Sequence, residues 1–398
     1  MEQSLDGDSQ KKVKIALVLS GGGARAAYQV GVLKAVADIL PKDISNPFPI
    51  ICGTSAGAIN ATALAVYAHH FREAVWRLTH VWHNFRVHEV FRADTWGLAK
   101  AGLHWFATLA LGGLGKYNPS ALLDRAPLHK LLSHYLDFDR IQHSIDNGLL
   151  QALSVSASSY TTGHAIAFYQ GVPGLEPWSR MRRMGVATRL TMTHLMASSA
   201  IPFVFGPEKV GNEYFGDGSM RQTAPISPAL HLGAERLFVV GVKNENNGNG
   251  TDEVPEFPSL AQIAGHVLNS IFLDNVDADL ERLCRINRTL NALPAELRKA
   301  SSLRIIDVLT ISPSRDLDVM AARHVHLMPA PIRFLMRGLG VSKHSGSSLL
   351  SYVLFERAYC RELINLGYQD ALQKRQQIIE FFDNQRPADN MTGDCVRP

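Results

Sequence analysis

Short uninterrupted apolar runs alternate with segments of three- and four-residue apolar spacing at the start of the chain. Residues 14–19 (KIALVL) form a partly β-branched apolar run, the pattern of a strand buried on both faces of a parallel sheet. Ser20–Gly23 reads as a turn. Ala24–Leu40 then carries Tyr28, Val32, Ala35, Val36 and Ile39 at helical spacing, and Pro41 stops it. Phe48–Cys52 is a second apolar run, Gly53–Gly57 a tight turn, and Ala58–His70 a second helix. Two strand–turn–helix units in close succession argue for a parallel α/β sheet.

Further along, residues 71–147 read as helical, with many histidines and aromatics. Leu149–Ser156 and His164–Tyr169 are predicted strands joined by a turn at Thr161–Gly163. Leu190–Ser199 is a predicted helix ended by Pro202, and Glu213–Phe215 a short strand running into Asp217-Gly218. Arg236–Val242 (RLFVVGV) and Leu303–Ile311 (LRIIDVLTI) are two more core strands. Between them lies a polar Gly/Asn/Pro loop, 244–258, followed by long helical periodicity over Leu260–Leu293. The strand at 303–311 favours one continuous sheet over two independent domains. Residues 1–12 and 386–398 read as flexible polar tails.

Composition narrows the function classes. Forty basic side chains face 36 acidic ones in 398 residues, a net charge of +4. That is too little concentrated charge for a partner bound through nucleic-acid phosphates. Cys52, Cys284, Cys360 and Cys395 are too scattered for a disulfide framework or a metal cluster and fit a reducing compartment. The glycines at 21–23 cut the first apolar run short of a signal-peptide core, and no run reaches the roughly 20 apolar residues of a spanning helix. The expectation is a cytoplasmic protein, free or peripheral to a membrane. His80 and His83 share a helical face, but no H-E-x-x-H pattern or carboxylate-rich loop accompanies them, so no metal or other cofactor is expected.

Two glycine turns carry the chemistry. Gly53-Thr54-Ser55-Ala56-Gly57 is G-x-S-x-G between a predicted strand and a predicted helix. A serine at the apex of such a turn needs neighbours without bulky side chains, and the helix that follows points its positive end at the hydroxyl. Gly21-Gly22-Gly23-Ala24-Arg25 is a second strand-to-helix turn. Its spacing breaks the dinucleotide fingerprint at Ala26, and it lacks the G-K-S/T of a phosphate loop. Its N–H groups instead suit an oxyanion hole for Ser55, and Arg25 is placed to brace the loop or the oxyanion. A serine nucleophile also needs a base. Asp217, flanked by glycines in Gly216-Asp217-Gly218-Ser219, is the strongest candidate. His194 and His231 are the histidines a conventional triad would recruit.

Together, GGGARA at 21–26, GTSAG at 53–57 and DGS at 217–219 resemble, in order, the motifs of the patatin-like phospholipase family. The segment 197–242 is similar as well. Ala26 and Ser219 depart from the usual pattern, each small for small. The resemblance implies a three-layer α/β/α sandwich with a mainly parallel sheet, a catalytic core over 13–243, and a helical extension over 259–385 packed on the same domain. It implies a Ser55–Asp217 dyad without histidine and an oxyanion hole from Gly21, Gly22, Gly23 and Ala56, with Arg25 beside it. It further implies calcium-independent hydrolysis of phospholipid or lysophospholipid esters through an acyl-enzyme. The alternatives are an acyltransferase using the same serine and a non-catalytic, membrane-associated regulator.

Two segments are candidates for meeting lipid. In Leu98–Leu114, Lys100, His104 and Thr108 would line one polar stripe of an otherwise apolar helix. In Pro331–Leu339, Ile332, Leu335, Met336 and Leu339 share a face opposite Arg333 and Arg337. Neither pattern excludes simple packing on the core. Oligomeric state is not readable from the sequence.

Overall fold

The computed structural model describes residues 13–92, 108, 123–202, 204–244, 259–272, 274–338 and 347–383. The predicted lipid-facing segment 98–114 therefore lies outside the described residues, apart from Thr108.

One mixed sheet organises the chain. Its strands are β1 (Ile15–Leu19), β2 (Ile50–Thr54), β3 (Ala152–Ser159), β4 (Ala165–Gly171), β5 (Trp178–Arg180), β6 (Arg183–Ala187), β7 (Glu208–Val210), β8 (Glu213–Asp217), β9 (Arg236–Val240) and β10 (Asp307–Ile311). The order is β10-β9-β1-β2-β3-β4-β6-β5, with β8 on β3 and β7 on β8. The run from β10 to β3 is parallel. Strands β1, β2 and β9 are short, buried and rich in apolar side chains, as a sheet covered on both faces requires, while the longer β3 is equally buried but half serine.

Alternation along β1 shows both covers. Ile15, Leu17 and Leu19 enter one hydrophobic cluster, with helices α1 (Ala27–Ile39), α2 (Ala56–Val66) and α3 (Phe71–Asn84). Ala16 and Val18 enter a second cluster on the opposite face, with Ile226, Val276 and Leu283. The larger cluster also takes in parts of α4 (Ala126–Tyr135), α5 (Asp139–Asp146) and α6 (Met192–Ser198). Beyond residue 259 the chain is mostly helical: α7 (Leu260–Phe272), α8 (Asp274–Ala292), α9 (Leu317–His324), α10 (Ala330–Gly338), α11 (Ser347–Val353), α12 (Arg357–Gln373) and α13 (Arg375–Phe382). The architecture is a helix–sheet–helix sandwich with a helical C-terminal region, as the resemblance implied.

Differences from the sequence reading are local. The first helix begins with a 3-10 turn, Gly23–Ala26, before α1. The second strand runs to Thr54 rather than stopping at Cys52. The single periodicity over 260–293 resolves into α7 and α8. The edge strand β5, its neighbour β6 and the short β7 carry too little apolar alternation to be foreseen. Cys52 and Cys360 are free and buried. Cys284 is disulfide-bonded, which departs from the expectation of cysteines too scattered to pair.

Candidate active site

Sheet register brings residues 55 and 217 together. On β3, residues Ala152–Ser156 pair with β2, the last pair being Thr54 with Ser156. The next position along, Ala157, pairs instead with Asp217 of β8. Strand β8 thus takes up the edge of β3 where β2 leaves it. Ser55 follows Thr54 at the end of one strand, and Asp217 ends the other.

Ser55 sits at the N-terminus of α2 with φ 55° and ψ −128°. Apart from Arg182 it is the only non-glycine residue at positive φ among the described residues. Strain of this kind costs about 1–3 kcal/mol and persists only where the surroundings enforce it. The enforcement is visible. A β-carbon on Gly53 would lie 2.5 Å from the Ala58 Cα, and one on Gly57 would lie 2.3 Å from the Leu19 carbonyl oxygen. Both glycines let α2 press against the ends of β1 and β2. The Ser55 N–H donates to Ser198 Oγ at 2.9 Å, which pins the turn from α6.

Asp217 is fully buried. Its Oδ1 accepts the Ser219 N–H at 2.9 Å, and its own N–H donates to the Ala200 carbonyl at 2.9 Å. Its Oδ2 is buried without a hydrogen-bond partner of full geometry. Burial pushes the carboxyl up to about 6. The Ser55 hydroxyl, the Ser219 N–H and hydroxyl, and the charge of Arg125 hold it from rising further. A carboxylate in that range is ionised at neutral pH and more basic than a solvated one. Arg125 itself is buried, donating to the Met196 carbonyl and to Glu208 Oε2, the latter at 2.6 Å.

The first glycine turn lies alongside. A β-carbon on Gly21 would fall 3.1 Å from Ser55 Cβ and 2.5 Å from Ser219 Oγ, so this backbone approaches as close as the serine allows. Gly22 and Gly23 open the 3-10 turn, closed by the Arg25 N–H on the Gly22 carbonyl at 3.1 Å. Amides at the start of a helical turn have no partner within it, and the same holds for Ala56 at the start of α2. Gly23 has φ 56°, and a β-carbon there would strike the Tyr352 carbonyl oxygen at 2.1 Å. Behind the turn, Gln29 donates to the Ser20 carbonyl at 2.8 Å and Asn60 donates to Gln29 at 3.0 Å. Trp82 completes this buried chain by donating to Asn60 at 2.9 Å.

Of the two roles left open for Arg25, its contacts correspond to bracing the loop. Its guanidinium is buried against Asp318, Ser351 and Asn269. His194 and His231 do not act on the carboxylate. His194 caps its own helix through Thr191 and packs on Phe168, and His231 stacks on Trp178. Ser198, Ser219, Arg125 and the Gln29–Asn60 pair were not singled out as site groups from the sequence. Only proximity to a motif could have flagged Ser219.

From Ser55 and Ala56 an apolar cleft runs between helices, lined by Ile59, Ala63, Leu78, Trp82, Phe85, Leu128, Leu132, Ile201, Phe205 and Phe355. Its lining is almost wholly apolar, and the serine stands at its wall. No group of three or more metal-ligating side chains occurs among the described residues, and none of their helices is long and apolar enough to cross a membrane.

Comparison with known proteins bears on the family. The patatin-like phospholipase family model matches residues 17–230, more than half of the chain. A cGAMP-activated phospholipase of Pseudomonas aeruginosa is 27% identical over 216 residues, covering 54% of this chain and 55% of that protein. The calcium-independent phospholipase A2-gamma of Oryctolagus cuniculus is 24% identical over 221 residues, covering 54% of this chain and 25% of that protein. The match thus spans about half of the first relative and a quarter of the second.

Proposed function

The chain belongs to the patatin-like phospholipase family, and from that premise we propose that it is a serine hydrolase of phospholipid or lysophospholipid carboxylic esters, working through a Ser55–Asp217 dyad. The observation that carries the proposal is a strained serine beside a buried, partly unsatisfied carboxylate at the wall of an apolar cleft.

The substrate acyl chain lies in the cleft and brings its ester carbonyl to Ser55. The hydroxyl oxygen attacks the carbonyl carbon while its proton passes to Asp217 Oδ2. The oxyanion that forms is held by the N–H groups of Gly22, Gly23 and Ala56, aided by the positive end of α2. Collapse breaks the bond to the leaving alkoxide, which takes the proton from Asp217, and the acyl group remains on Ser55. Water then gives a proton to Asp217 and attacks the acyl carbon. Collapse of that intermediate returns the proton to Ser55 and frees the fatty acid. Neither step calls for calcium.

Contact with lipid through 331–339 belongs to the same proposal. In α10 the face read from the sequence turns inward, Ile332 being buried and Met336 packed against the core, and Leu339 lies outside the described residues; Phe334 is instead 79% exposed, with Arg337 exposed on the next turn. An exposed aromatic beside arginine suits the headgroup boundary of an anionic membrane.

The deciding assay takes purified protein against phospholipids, lysophospholipids and neutral esters, with and without chelator. Fatty acid should be released from the phospholipid class with chelator present, and Ser55→Ala should release none. Failure of wild type to cleave any ester or to react with a fluorophosphonate would overturn the proposal. Transfer of the acyl group to an added alcohol in preference to water would turn it toward an acyltransferase.

A further inference from the structure

Arg25 follows Gly22 and Gly23 by one helical turn, yet its side chain is held entirely by residues beyond 259. Nη2 donates to Asp318 Oδ1 at 2.5 Å and to Asn269 Oδ1 at 3.2 Å, and Nε donates to Ser351 Oγ at 2.8 Å. The guanidinium carbon stands 4.1 Å over the Tyr352 ring. The partners are themselves interlocked. Tyr352 donates to Asn269 at 2.9 Å, Ser348 donates to Asp318 Oδ2, and Ser351 donates to the Ser348 carbonyl at 2.7 Å. Asp318 has its own N–H fixed by Asp316 at the start of α9. Three helices, α7, α9 and α11, therefore converge on one cation, and all lie outside the stretch 17–230 that matches the family model.

A buried ion pair is a poor source of net stability, because desolvation offsets most of its attraction. What a fork of fixed donors supplies is placement. Arg25 closes the 3-10 turn through its N–H on the Gly22 carbonyl, and Tyr352 abuts Gly23 directly. The guanidinium is thus coupled through this turn to the Gly22 and Gly23 amides, which the hydrolase reading assigns to the oxyanion.

We propose that Asp318, with Ser351, is a positioning residue for the reaction: the C-terminal helices clamp Arg25 and thereby set the oxyanion-binding amides of Gly22 and Gly23. The inference rests on the hydrolase reading above and extends the working site beyond the family core. It makes the region after residue 259 part of the catalytic apparatus, acting without touching substrate.

Oxyanion donors act on the transition state and not on the bound ester, so the clamp should appear in kcat and leave KM in place. The test compares wild type with Asp318→Asn and Ser351→Ala on a soluble short-chain ester. Two inhibitors accompany it: a lipid trifluoromethyl ketone, which becomes an oxyanion on the serine, and a non-reactive ether analogue of the same chain. Asp318→Asn should lower kcat by about 10- to 100-fold with KM within about threefold, since a donor misplaced by about 1 Å costs up to about 100-fold. Ser351→Ala should lower kcat by a few-fold. Ketone affinity should fall in step with kcat/KM, and ether affinity should hold. Asp318→Glu, which keeps the charge, should recover part of the loss. Should Asp318→Asn not fold, Ser351→Ala decides alone, because it removes one hydroxyl and leaves every charge of the cluster in place. A folded variant with undiminished kcat, or an ether analogue that weakens as much as the ketone, overturns the proposal. An inactive wild type would instead strike the hydrolase reading itself.

Discussion

Replacing Asp217 by asparagine should silence the protein and at the same time stabilise it. The carboxyl is fully buried, and its pKa is raised from 3.8 to about 6. The folded state therefore binds the proton more tightly than the unfolded chain, and charging the group works against folding. That penalty is absent well below pH 3.8, grows as pH rises through the interval up to 6, and is complete above it. At 1.36 kcal/mol per pH unit, the rise from 3.8 to about 6 costs wild type about 3 kcal/mol at pH 7.5, and about 1 kcal/mol at pH 4.5. Asparagine keeps the shape and the acceptor for the Ser219 N–H, and it adds a donor that can face Ser55 Oγ. For a 398-residue chain the unfolding entropy is about 0.8 kcal/mol per kelvin, so the gain is about 3–4 °C in melting temperature at pH 7.5. Calorimetry of both proteins from pH 4.5 to pH 8 reads this directly. The difference should shrink about threefold toward the acid end. An asparagine variant that melts below wild type at pH 7.5, or a gain that does not change with pH, would refute a carboxylate held charged in a dry site.

The same shift sets the acid limb of activity, since the base works only when ionised: kcat/KM on a soluble ester should halve near pH 6 and fall tenfold per unit below it. Ser219→Ala removes a hydroxyl that lowers the Asp217 pKa, so that limb should move to higher pH, which a full pH profile would show. Ser55→Gly should abolish ester cleavage and raise stability by about 1 kcal/mol in urea unfolding, because glycine adopts φ 55° without strain. Gly23→Ala should lose activity and fold poorly, since its β-carbon would collide with the Tyr352 carbonyl at positive φ; limited proteolysis would register the loosened turn. Phe334→Ser combined with Arg337→Gln should weaken sedimentation with anionic vesicles several-fold while sparing cleavage of a soluble ester.

How much of this was legible beforehand depends on how local each cause is. Strand β1 and the turn at Ser55 announce themselves because a β-branched run and two glycines are short-range signals. The end of β2 was read two residues early, because Gly53 and Thr54 are held in the strand by pairing with β3 and not by their own apolar character. Strands β5 and β6 leave no apolar pattern to read, because β5 is a half-exposed edge and its neighbour β6 buries only Gly185 fully. Asp217 stood out only as one of three ordered motifs. Nothing in a linear pattern states that β8 continues the edge β2 vacates. Arg25 shows the limit most sharply. Its charge was visible, but Asn269, Asp318 and Ser351 lie far along the chain in helices whose polar positions look like solvated faces.

Because main-chain ladders on a shared neighbour fix residues 55 and 217, the distance between them is indifferent to what is threaded through the intervening loops. Insertions or deletions there should leave the chemistry intact so long as Ala152–Ser159 keeps its register. A laboratory library that varies loop length on either side of that strand would thus explore new substrate entrances without rebuilding the proposed Ser55–Asp217 pair. A one-residue slip within the strand would erase it at a stroke.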